Sequence, residues 1–392
     1  MKAGSIMQIG CTKKLADYLD IALPNADPEV KPFFSFSANL LTFNRRKCIV
    51  VMHNASYCGF VLFGVTAKEK KNIQSLFQAG LRKMLEAERY KESVIDCFLR
   101  DCSFPATLTK TVDRSQVARL VKFCDRVVWA LTRYGNEDLY QEHLLPILNY
   151  DVVSLHGDYR QSFITFEKMA ELFRSRYGSV YGGKTGVFDI TLKLMTPCVR
   201  RVAIPLPFNL YVMHRVIQNL FLWHDYHLHH FVLEKEKNGR VKRRAGIPYE
   251  WEMGLPQDDD LQDETLLRLE DVFAHKKKIV YEYDMGDGWE HEIKLVKILP
   301  DEDQVIPRCI EAVGSAPPED CGGPYGFAQL QQALQDKSDP QHEDMVEWFG
   351  SDTIPEPDID EINRKLRREV LTAWREPPIE DAFEEDDDDE WF

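Results

Sequence analysis

Apolar residues in the first half of the chain follow two kinds of pattern. Three short runs rich in β-branched and aromatic residues, at 39–43, 48–53 and 58–65, are separated by turn-prone asparagines. Such runs are typical of consecutive antiparallel strands. Two longer stretches, 67–90 and 113–134, repeat apolar residues every three or four positions, as amphipathic helices do. The pattern predicts a small antiparallel sheet with helices packed on it.

The second half has a similar mixture of strands and helices. Residues 187–195 alternate in polarity and a second extended run follows at 199–204, which predicts a strand pair. Helical spacing recurs at 210–223, 327–334, 342–349 and 359–374. Residues 234–265 are polar and contain both a basic and an acidic triplet, so we expect a solvated surface insertion there.

The most distinctive stretch is YEYDMGDGWEHE, residues 281–292. Strand patterns at 279–283 and 289–299 flank a turn at 284–288, and the Asp-Gly step inside this turn is a strong hairpin signal. A second polar stretch, PPEDCGG, lies about thirty residues later in a predicted loop over 307–326. Two aspartates, two glycines, a tryptophan and a histidine in one short run are typical of a functional site.

A histidine-rich segment precedes the hairpin. Residues 224–233, HDYHLHHFVL, are expected to turn into a strand. In a strand, His227, His229 and Phe231 share one face, and Leu228 and His230 share the other.

Length and composition indicate a globular protein of two or three domains. The chain has 392 residues, of which 44% are hydrophobic and 29% are charged, as in folded proteins. No apolar run reaches the length of a membrane span, and the N-terminus has no signal-peptide pattern. Nine cysteines without a C-x-x-C pair indicate reduced thiols. We therefore expect a cytoplasmic protein with no membrane partner.

The net charge of −15 is unevenly distributed. Residues 1–186 hold 26 Lys and Arg against 19 Asp and Glu, a balance of +7, whereas residues 187–392 hold 23 against 45, a balance of −22. The acidic half should repel a nucleic-acid backbone, and the basic half could contact one. A balance of +7 is more typical of a solvated surface, so the charges permit a nucleic-acid partner without favouring it.

These patterns divide the chain into four parts. We predict an N-terminal α+β domain over 1–155, a helical and glycine-rich linker over 156–186, a second α+β domain over 187–375, and an acidic disordered tail over 376–392. Each domain is expected to be a small, mainly antiparallel sheet backed by helices. The tail has too little apolar surface to fold.

The linker contains GSVYGGKT, residues 178–185, which matches the phosphate-binding pattern G-x-x-x-x-G-K-[ST]. A phosphate-binding loop needs a strand before it and a helix after it, so that amides at the helix start point to phosphate. Here the predicted helix comes first and the strand follows. We therefore interpret the segment as a linker and not as a nucleotide site.

The first domain resembles a bacterial family that opens with a C-T-K-K-L motif, here residues 11–15. Such domains continue with a strand pair and a late N-R-S-type segment, here Asp113, Arg114 and Ser115. The change from Asn to Asp keeps the helix-capping role. The family has no established activity, so the resemblance implies a domain boundary and no reaction.

The second domain resembles the plasmid pRiA4b ORF-3-like family. The motifs P-x-x-R-R, W-x-x-x-H-L-H-x-F, Y-x-Y-D-x-G-D-G-W-E-H, P-R-C, P-P-E-D-C-G-G-P and W-F-G occur in order, beginning at Pro197, Trp223, Tyr281, Pro307, Pro317 and Trp348. Val199 and Met285 depart from the usual Trp and Phe but stay apolar. The resemblance implies an antiparallel sheet backed by helices, in bacteria, on plasmids and as passengers of insertion elements. Some members carry a resolvase-like label, for which this sequence has no nucleophile constellation.

Eleven residues of these motifs form the predicted site. They are Trp223, His227, His229, Tyr281, Asp284, Asp287, Trp289, His291, Glu319, Asp320 and Cys321. If the hairpin, the histidine segment and the loop converge, ligands for a divalent metal would come from His227, His229, Asp287, His291, Asp320 and Cys321, with Asp284 as a further carboxylate. A bound ion would lower the pKa of a water molecule and support hydrolysis.

Two other interpretations are available for the same residues. In a structural role, Asp284 and Asp287 would hold the amides of the turn, and the aromatic side chains would be core. In a binding module, Trp223, Tyr281 and Trp289 would line an apolar pocket in which Asp and His fix a ligand or peptide.

We predict a binding or regulatory accessory module associated with mobile elements, with a polar pocket in the second domain. The alternative is a metal-dependent hydrolase that uses the Asp, His and Cys cluster. A divalent metal is the candidate cofactor, and the partner would be an unidentified protein or small molecule. The density of polar residues beside Gly and Trp carries this prediction.

Overall fold

The computed structural model describes residues 7–111, 113–155, 158–247, 261–300 and 303–370. The chain divides into two compact units between Gly182 and Gly183, and each unit is described by itself. Both have helices packed on a sheet, so the predicted α+β class is confirmed. The predicted tail at 376–392 lies outside the described residues.

The first unit is built on a five-stranded sheet with the order β4-β3-β2-β1-β5. Its strands are β1 (Gln8–Cys11), β2 (Ser35–Phe43), β3 (Arg46–His53), β4 (Gly59–Leu62) and β5 (Thr107–Lys110). β2, β3 and β4 form the predicted antiparallel meander. β1 runs parallel to β2 and β5, and its four residues are too few to show a strand pattern in the sequence. A separate antiparallel pair consists of β6 (Val152–Leu155) and β7 (Asp158–Ile164).

Helices cover this sheet as the apolar periodicity predicted. Their bounds are α1 (Lys13–Leu19), α2 (Ala67–Lys71), α3 (Ile73–Ala87), α4 (Glu92–Asp101), α5 (Arg114–Tyr134), α6 (Leu145–Leu148) and α7 (Thr165–Tyr177). The helix predicted at 67–90 is interrupted at Asn72. Asp113 caps α5 by accepting a hydrogen bond from the N–H of Gln116 at 2.8 Å. The apolar face of α5 packs on β2 and β3, and α3 packs on β4.

The segment expected to be a linker, 156–186, includes β7 and α7. α7 buries Phe166, Met169 and Phe173, because these residues recur on one face of the helix. The helix therefore contributes to the core of the first unit. Residues 178–185 follow this helix and precede a strand, the reverse of the order that a phosphate-binding loop needs.

The second unit is built on an eight-stranded sheet with the order β12-β11-β10-β13-β14-β8-β9-β15. The strands are β8 (Thr185–Leu192), β9 (Cys198–Pro205), β10 (His229–Lys235), β11 (Val241–Gly246), β12 (Leu261–Asp263), β13 (Lys278–Tyr283), β14 (Trp289–Leu299) and β15 (Arg308–Val313). Neighbouring strands are antiparallel except β11 and β12. The predicted hairpin is β13 and β14, which pair Tyr283 with Trp289 beside the turn.

Two segments predicted as loops contribute strands to this sheet, so those predictions were wrong. β11 and β12 lie within 234–265, and β15 lies within 307–326. These strands lie at or next to the sheet edges, where Lys and Arg keep the sequence polar and mask the strand pattern. Asn363 covers part of the β15 edge, because it accepts from the N–H of Cys309 at 2.8 Å and donates to its carbonyl at 3.1 Å.

The second unit has five α-helices among the described residues. They are α8 (Leu210–Phe221), α9 (Leu269–Val272), α10 (Gly323–Gln335), α11 (His342–Phe349) and α12 (Ile359–Lys365), followed by a π-helical turn at Leu366–Val370. α8 is buried over most of its surface and contributes to the apolar core together with the sheet. No helix in the described part of the chain is long and apolar enough to cross a membrane. All nine cysteines are free thiols.

Replacing Gly80 with alanine should destabilise the first unit. A Cβ at Gly80 would lie 2.2 Å from the ring of Phe60, which is 2% exposed. We expect the free energy of unfolding to fall by about 1–3 kcal/mol because of overpacking, even though alanine favours helix. Urea unfolding measures this change. Gln78→Ala, at an exposed position of the same helix, is the matched control and should change stability by less than about 0.5 kcal/mol. Equal stability of the two variants would contradict the prediction.

Candidate functional site

The hairpin turn is held by one aspartate. Asp284 has a left-handed backbone, with φ of 55°, and its Oδ1 accepts hydrogen bonds from the N–H groups of Gly286 at 2.9 Å and Asp287 at 3.2 Å. Aspartate tolerates this conformation because its short side chain bonds locally. Asp284 is therefore fixed in orientation, with its other carboxylate oxygen available to neighbours.

The loop at 317–323 docks directly on the turn. The N–H of Gly322 donates to Oδ2 of Asp287 at 3.2 Å. The contact leaves no room for a side chain at Gly323, because a Cβ there would lie 2.4 Å from the carbonyl oxygen of Asp287. The two glycines of PPEDCGG thus allow the loop backbone to approach the hairpin backbone.

Trp223 and Glu319 tie the same loop to the histidine segment. Nε1 of Trp223 donates to the carbonyl of Pro317 at 2.9 Å. The hydroxyl of Tyr283 donates to Glu319, and the N–H of His224 donates to the same carboxylate at 2.9 Å. The three stretches that the sequence singled out therefore lie side by side.

One cluster of predicted residues forms where these stretches meet. Nε2 of His227 lies 3.1 Å from Oδ1 of Asp320 and 3.6 Å from Oδ2 of Asp284. Their ligand-type atoms all lie within 4.8 Å of one another. The side chains of His227 and Asp320 are 28% and 67% exposed, whereas Asp284 is 9% exposed. Asp320, like Asp284, has a positive φ, of 59°. We call these three residues the His-Asp trio.

His229 belongs to a different, buried network. Its Nε2 lies 3.0 Å from Oε2 of Glu264, which is wholly buried. Its ring stacks on that of His214, with centroids 3.6 Å apart and planes 3° apart. His214 in turn lies 2.8 Å from the hydroxyl of Tyr281 and 2.9 Å from Asp225. His214, Asp225 and Glu264 were not predicted as site residues. The sequence contains a signal only for His214, which is a polar residue within the apolar helix pattern at 210–223.

The stacked histidines are poorly arranged to share a metal ion, although His214, Asp225 and His229 lie close together. An imidazole binds a metal through a lone pair in the ring plane. In two rings stacked face to face, those lone pairs lie in parallel planes and do not converge on one point. The network is therefore best described as a buried set of hydrogen bonds and ion pairs.

Burial and neighbouring charges shift the pKa of two members of this network, His214 and Asp225. Burial, together with the neighbouring His229, lowers the pKa of His214. Burial alone would raise the pKa of Asp225, but His214 and Arg215 outweigh it and hold that pKa well below its usual range. Asp225 is therefore an ionised carboxylate, which pairs with the guanidinium of Arg215.

His291 is a core residue. Its ring lies between Phe221, Trp223 and Tyr281, at centroid distances of 4.8–5.4 Å, and neither ring nitrogen has a hydrogen-bond partner at normal geometry among the described residues. Burial lowers its pKa to about 3, against smaller opposing effects of the Tyr281 and Trp289 backbone. His291 is therefore neutral near pH 7 and separate from the His-Asp trio. Trp289 and Tyr281 are likewise wholly buried.

Asp287 and Cys321 flank the trio. The Asp287 carboxylate accepts a hydrogen bond from the amide of Gly322. Burial, and then the charges of Asp287 and Asp320, raise the pKa of Cys321 to about 12, so this thiol is protonated in the metal-free protein. Of the six metal ligands predicted from the sequence, the structure thus brings His227 and Asp320 together, with Asp284 as the third.

The second unit is an α+β domain whose sequence motifs lie around a hairpin and a glycine-rich loop. Residues 184–365 match the plasmid pRiA4b ORF-3-like protein family, and the chain belongs to this family. The predicted resemblance of the second domain is confirmed. Residues 8–163 match a domain of unknown function, DUF6933, which does not confirm the C-T-K-K-L designation of the first domain.

Two other proteins show the extent of the similarity. The uncharacterised protein y4hQ of Sinorhizobium fredii is 36% identical over 163 residues, which are 41% of this chain and 79% of that protein. A crystal structure of a protein of unknown function, MM3350 from Methanosarcina mazei Go1, is 31% identical, with a TM-score of 0.39. The match covers 45% of this chain and 97% of that one.

Replacing His291 with phenylalanine should reduce the loss of stability at acidic pH. Because burial lowers the pKa from 6.5 to about 3, the unfolded chain binds a proton in this window that the folded chain does not. Stability is therefore full above pH 6.5 and falls as the pH decreases toward 3. One such group contributes a slope of up to about 1.4 kcal/mol per pH unit.

Urea unfolding at about pH 7 and pH 5 measures this slope, with Trp223 and Trp289 as fluorescent reporters in the same unit. We expect His291→Phe to flatten the pH dependence by about 1 kcal/mol per pH unit. His275→Phe, at an exposed position, is the matched control and should keep the original slope. An unchanged slope in His291→Phe would show that His291 is accessible to protons in the folded protein.

Proposed function

We propose that the second unit is a binding module whose site lies where the hairpin turn, the histidine segment and the loop at 317–323 meet. The observation that carries this proposal is the His-Asp trio, whose ligand-type atoms lie within 4.8 Å of one another. Its members come from three separate segments, so their proximity depends on the tertiary fold. Polar groups that converge from distant segments are typical of binding sites.

The proposed ligand is a divalent cation. One imidazole and two carboxylates are the donor set that Zn²⁺ and related ions accept in proteins. The amides of Gly286 and Asp287 orient Asp284, as hydrogen bonds commonly orient metal-binding carboxylates. Asp287 acts indirectly, because it holds the loop that carries Asp320.

In this proposal the protein is an accessory or regulatory module. The balance of −22 over residues 187–392 attracts cations to the second unit. The plasmid in the family's description supports an association with mobile elements. The first unit would supply a surface for a protein partner, because its balance of +7 does not favour nucleic acid.

Removing one carboxylate of the trio should weaken cation binding. We expect about one Zn²⁺ per chain by elemental analysis after chelation and reloading, and Asp320→Asn should raise the dissociation constant at least about tenfold because it removes a charged ligand. Titration calorimetry with Zn²⁺ measures this change. Asp344→Asn, on the exposed face of α11, is the matched control.

His227→Gln distinguishes cation binding at the trio from binding at adventitious sites. It should also weaken binding, and the unfolding midpoint of the metal-free variants should stay near that of the parent because both residues are partly exposed. Wild-type affinity in both Asp320→Asn and His227→Gln would show that the trio does not hold the ion.

A second candidate function is metal-dependent hydrolysis. Three protein ligands leave a coordination position for water, as in catalytic zinc sites. The exposure of Asp320 and His227, 67% and 28%, leaves the site accessible to a substrate. This function requires the same ion as the binding module.

Turnover distinguishes the two functions. A hydrolase would release product from aryl ester or phosphoester probes in a chelator-sensitive way, and Asp320→Asn would lower the rate in proportion to metal loss. We expect the Zn²⁺-loaded protein to show no chelator-sensitive turnover above that of Asp320→Asn. Chelator-sensitive turnover that Asp320→Asn removes would favour the hydrolase instead.

A further inference from the structure

A cavity adjoins the start of the loop at 317–323. Its volume is about 530 Å³, within the range of small-molecule sites. It lies between the end of α8, the residues at 316–319 and the segment at 349–362. The apolar wall includes Phe221, Trp223, Phe349, Ile354 and Ile362.

A buried arginine lines this cavity. Arg200 on β9 is 1% exposed. Its Nε donates to the carbonyl of Leu220 at 3.1 Å, and its Nη1 lies 2.9–3.1 Å from the carbonyls of Val199, Val313 and Gly314. Its guanidinium carbon lies 5.1 Å from the centre of the Phe221 ring. Nη2 takes no part in these bonds to carbonyls.

No described carboxylate lies within ion-pair distance of Arg200. The next residue, Arg201, shows the contrast, because it pairs with both Asp189 and Glu311. Burial lowers the pKa of Arg200, partly offset by the thiols of Cys198 and Cys309 and by the charge of Glu356. Because no described carboxylate lies at ion-pair distance, the buried positive charge leaves room for a negatively charged partner.

Four acidic residues also line the cavity. The nearly buried Glu319 is already bonded to Tyr283 and His224, and the Asp358 carboxylate accepts from the amides of Asp360 and Glu361. Glu356 and Asp358 are exposed, and Glu361 is partly exposed. Solvent screens the charges of exposed residues over about 8 Å at physiological salt. It screens the buried charge of Arg200 much less.

We propose that this cavity binds a small apolar molecule with a single carboxylate, whose head pairs with Arg200 and whose body packs on Trp223, Phe349 and Ile354. The buried guanidinium selects an anion, because the local dielectric strengthens its interaction relative to the exposed and screened carboxylates. Those carboxylates discriminate against ligands of higher charge, such as phosphate esters and nucleotides.

Three eight-carbon probes test the ligand class on the full chain. We expect octanoate to bind at least about tenfold more tightly than octanol, since only octanoate places an opposite charge beside the buried guanidinium. Octylamine should not compete. Calorimetry and the fluorescence of Trp223 measure binding. Equal affinity for octanol and octanoate, preference for octylamine, or no binding of octanoate would each overturn the proposal.

Glu356→Gln tests which ligand charge the cavity prefers, without changing Arg200 or the core. Removing this exposed charge should tighten octanoate binding about two- to fivefold, whereas a site for cations would weaken by a similar factor. Glu343→Gln, an exposed residue on α11 that does not line the cavity, should have no effect. Weaker octanoate binding in Glu356→Gln would contradict the proposed charge selection.

Ile354→Trp tests whether the ligand occupies the cavity. The larger side chain should fill the space and abolish octanoate binding, while the unfolding midpoint and Zn²⁺ binding at the His-Asp trio stay near those of the parent. Retained octanoate binding would locate the ligand elsewhere and overturn the proposal. The zinc titration is independent of Arg200, so failure of the carboxylate site and failure of the proposed cation site give different results.

Discussion

Backbone contact between the hairpin turn and the loop at 317–323 positions every part of the candidate site. The contact requires glycine at position 323, since a Cβ there would lie 2.4 Å from the carbonyl of Asp287. It is reinforced by the bond from Gly322 to the Asp287 carboxylate. Once the loop lies this close, Asp320 reaches His227, and Glu319 reaches Tyr283. A side chain at 323 would have to move the loop, and both acidic residues with it.

Local signals in the sequence were sufficient for the hairpin and for the loop beside it. The Asp-Gly step, the flanking strand patterns and the glycines of PPEDCGG each have a short-range physical cause. The proximity of His227, Asp284 and Asp320 was a plausible expectation for the same reason, because all three lie next to such signals. Strands β11 and β15, which lie next to an edge and at an edge of the sheet, were missed because charged side chains mask their strand pattern. For β15 the pairing partner, β9, is also distant in sequence.

The histidines show what a single sequence cannot resolve. His227, His229 and His291 belong to neighbouring motifs and offer the same ligand chemistry. The structure separates them by burial: His291 is enclosed by aromatic rings, His229 pairs with the buried Glu264, and His227 is partly exposed beside two aspartates. Glu264 lies 35 residues from His229, in a segment whose composition indicates a solvated loop, so no local pattern predicts their pairing.

The two proposed sites share one loop but require opposite ligand charges. Asp320 belongs to the His-Asp trio, and the adjacent Glu319 lines the same cavity as Arg200. A cation at the trio would neutralise two carboxylates near this loop, whereas a carboxylate at Arg200 would neutralise a buried guanidinium. Each ligand therefore reduces a charge that the fold leaves incompletely compensated, and the screening of nearby charges keeps the two effects local. Because residues of one short loop line both proposed sites, any shift of that loop on binding one ligand would change the site of the other.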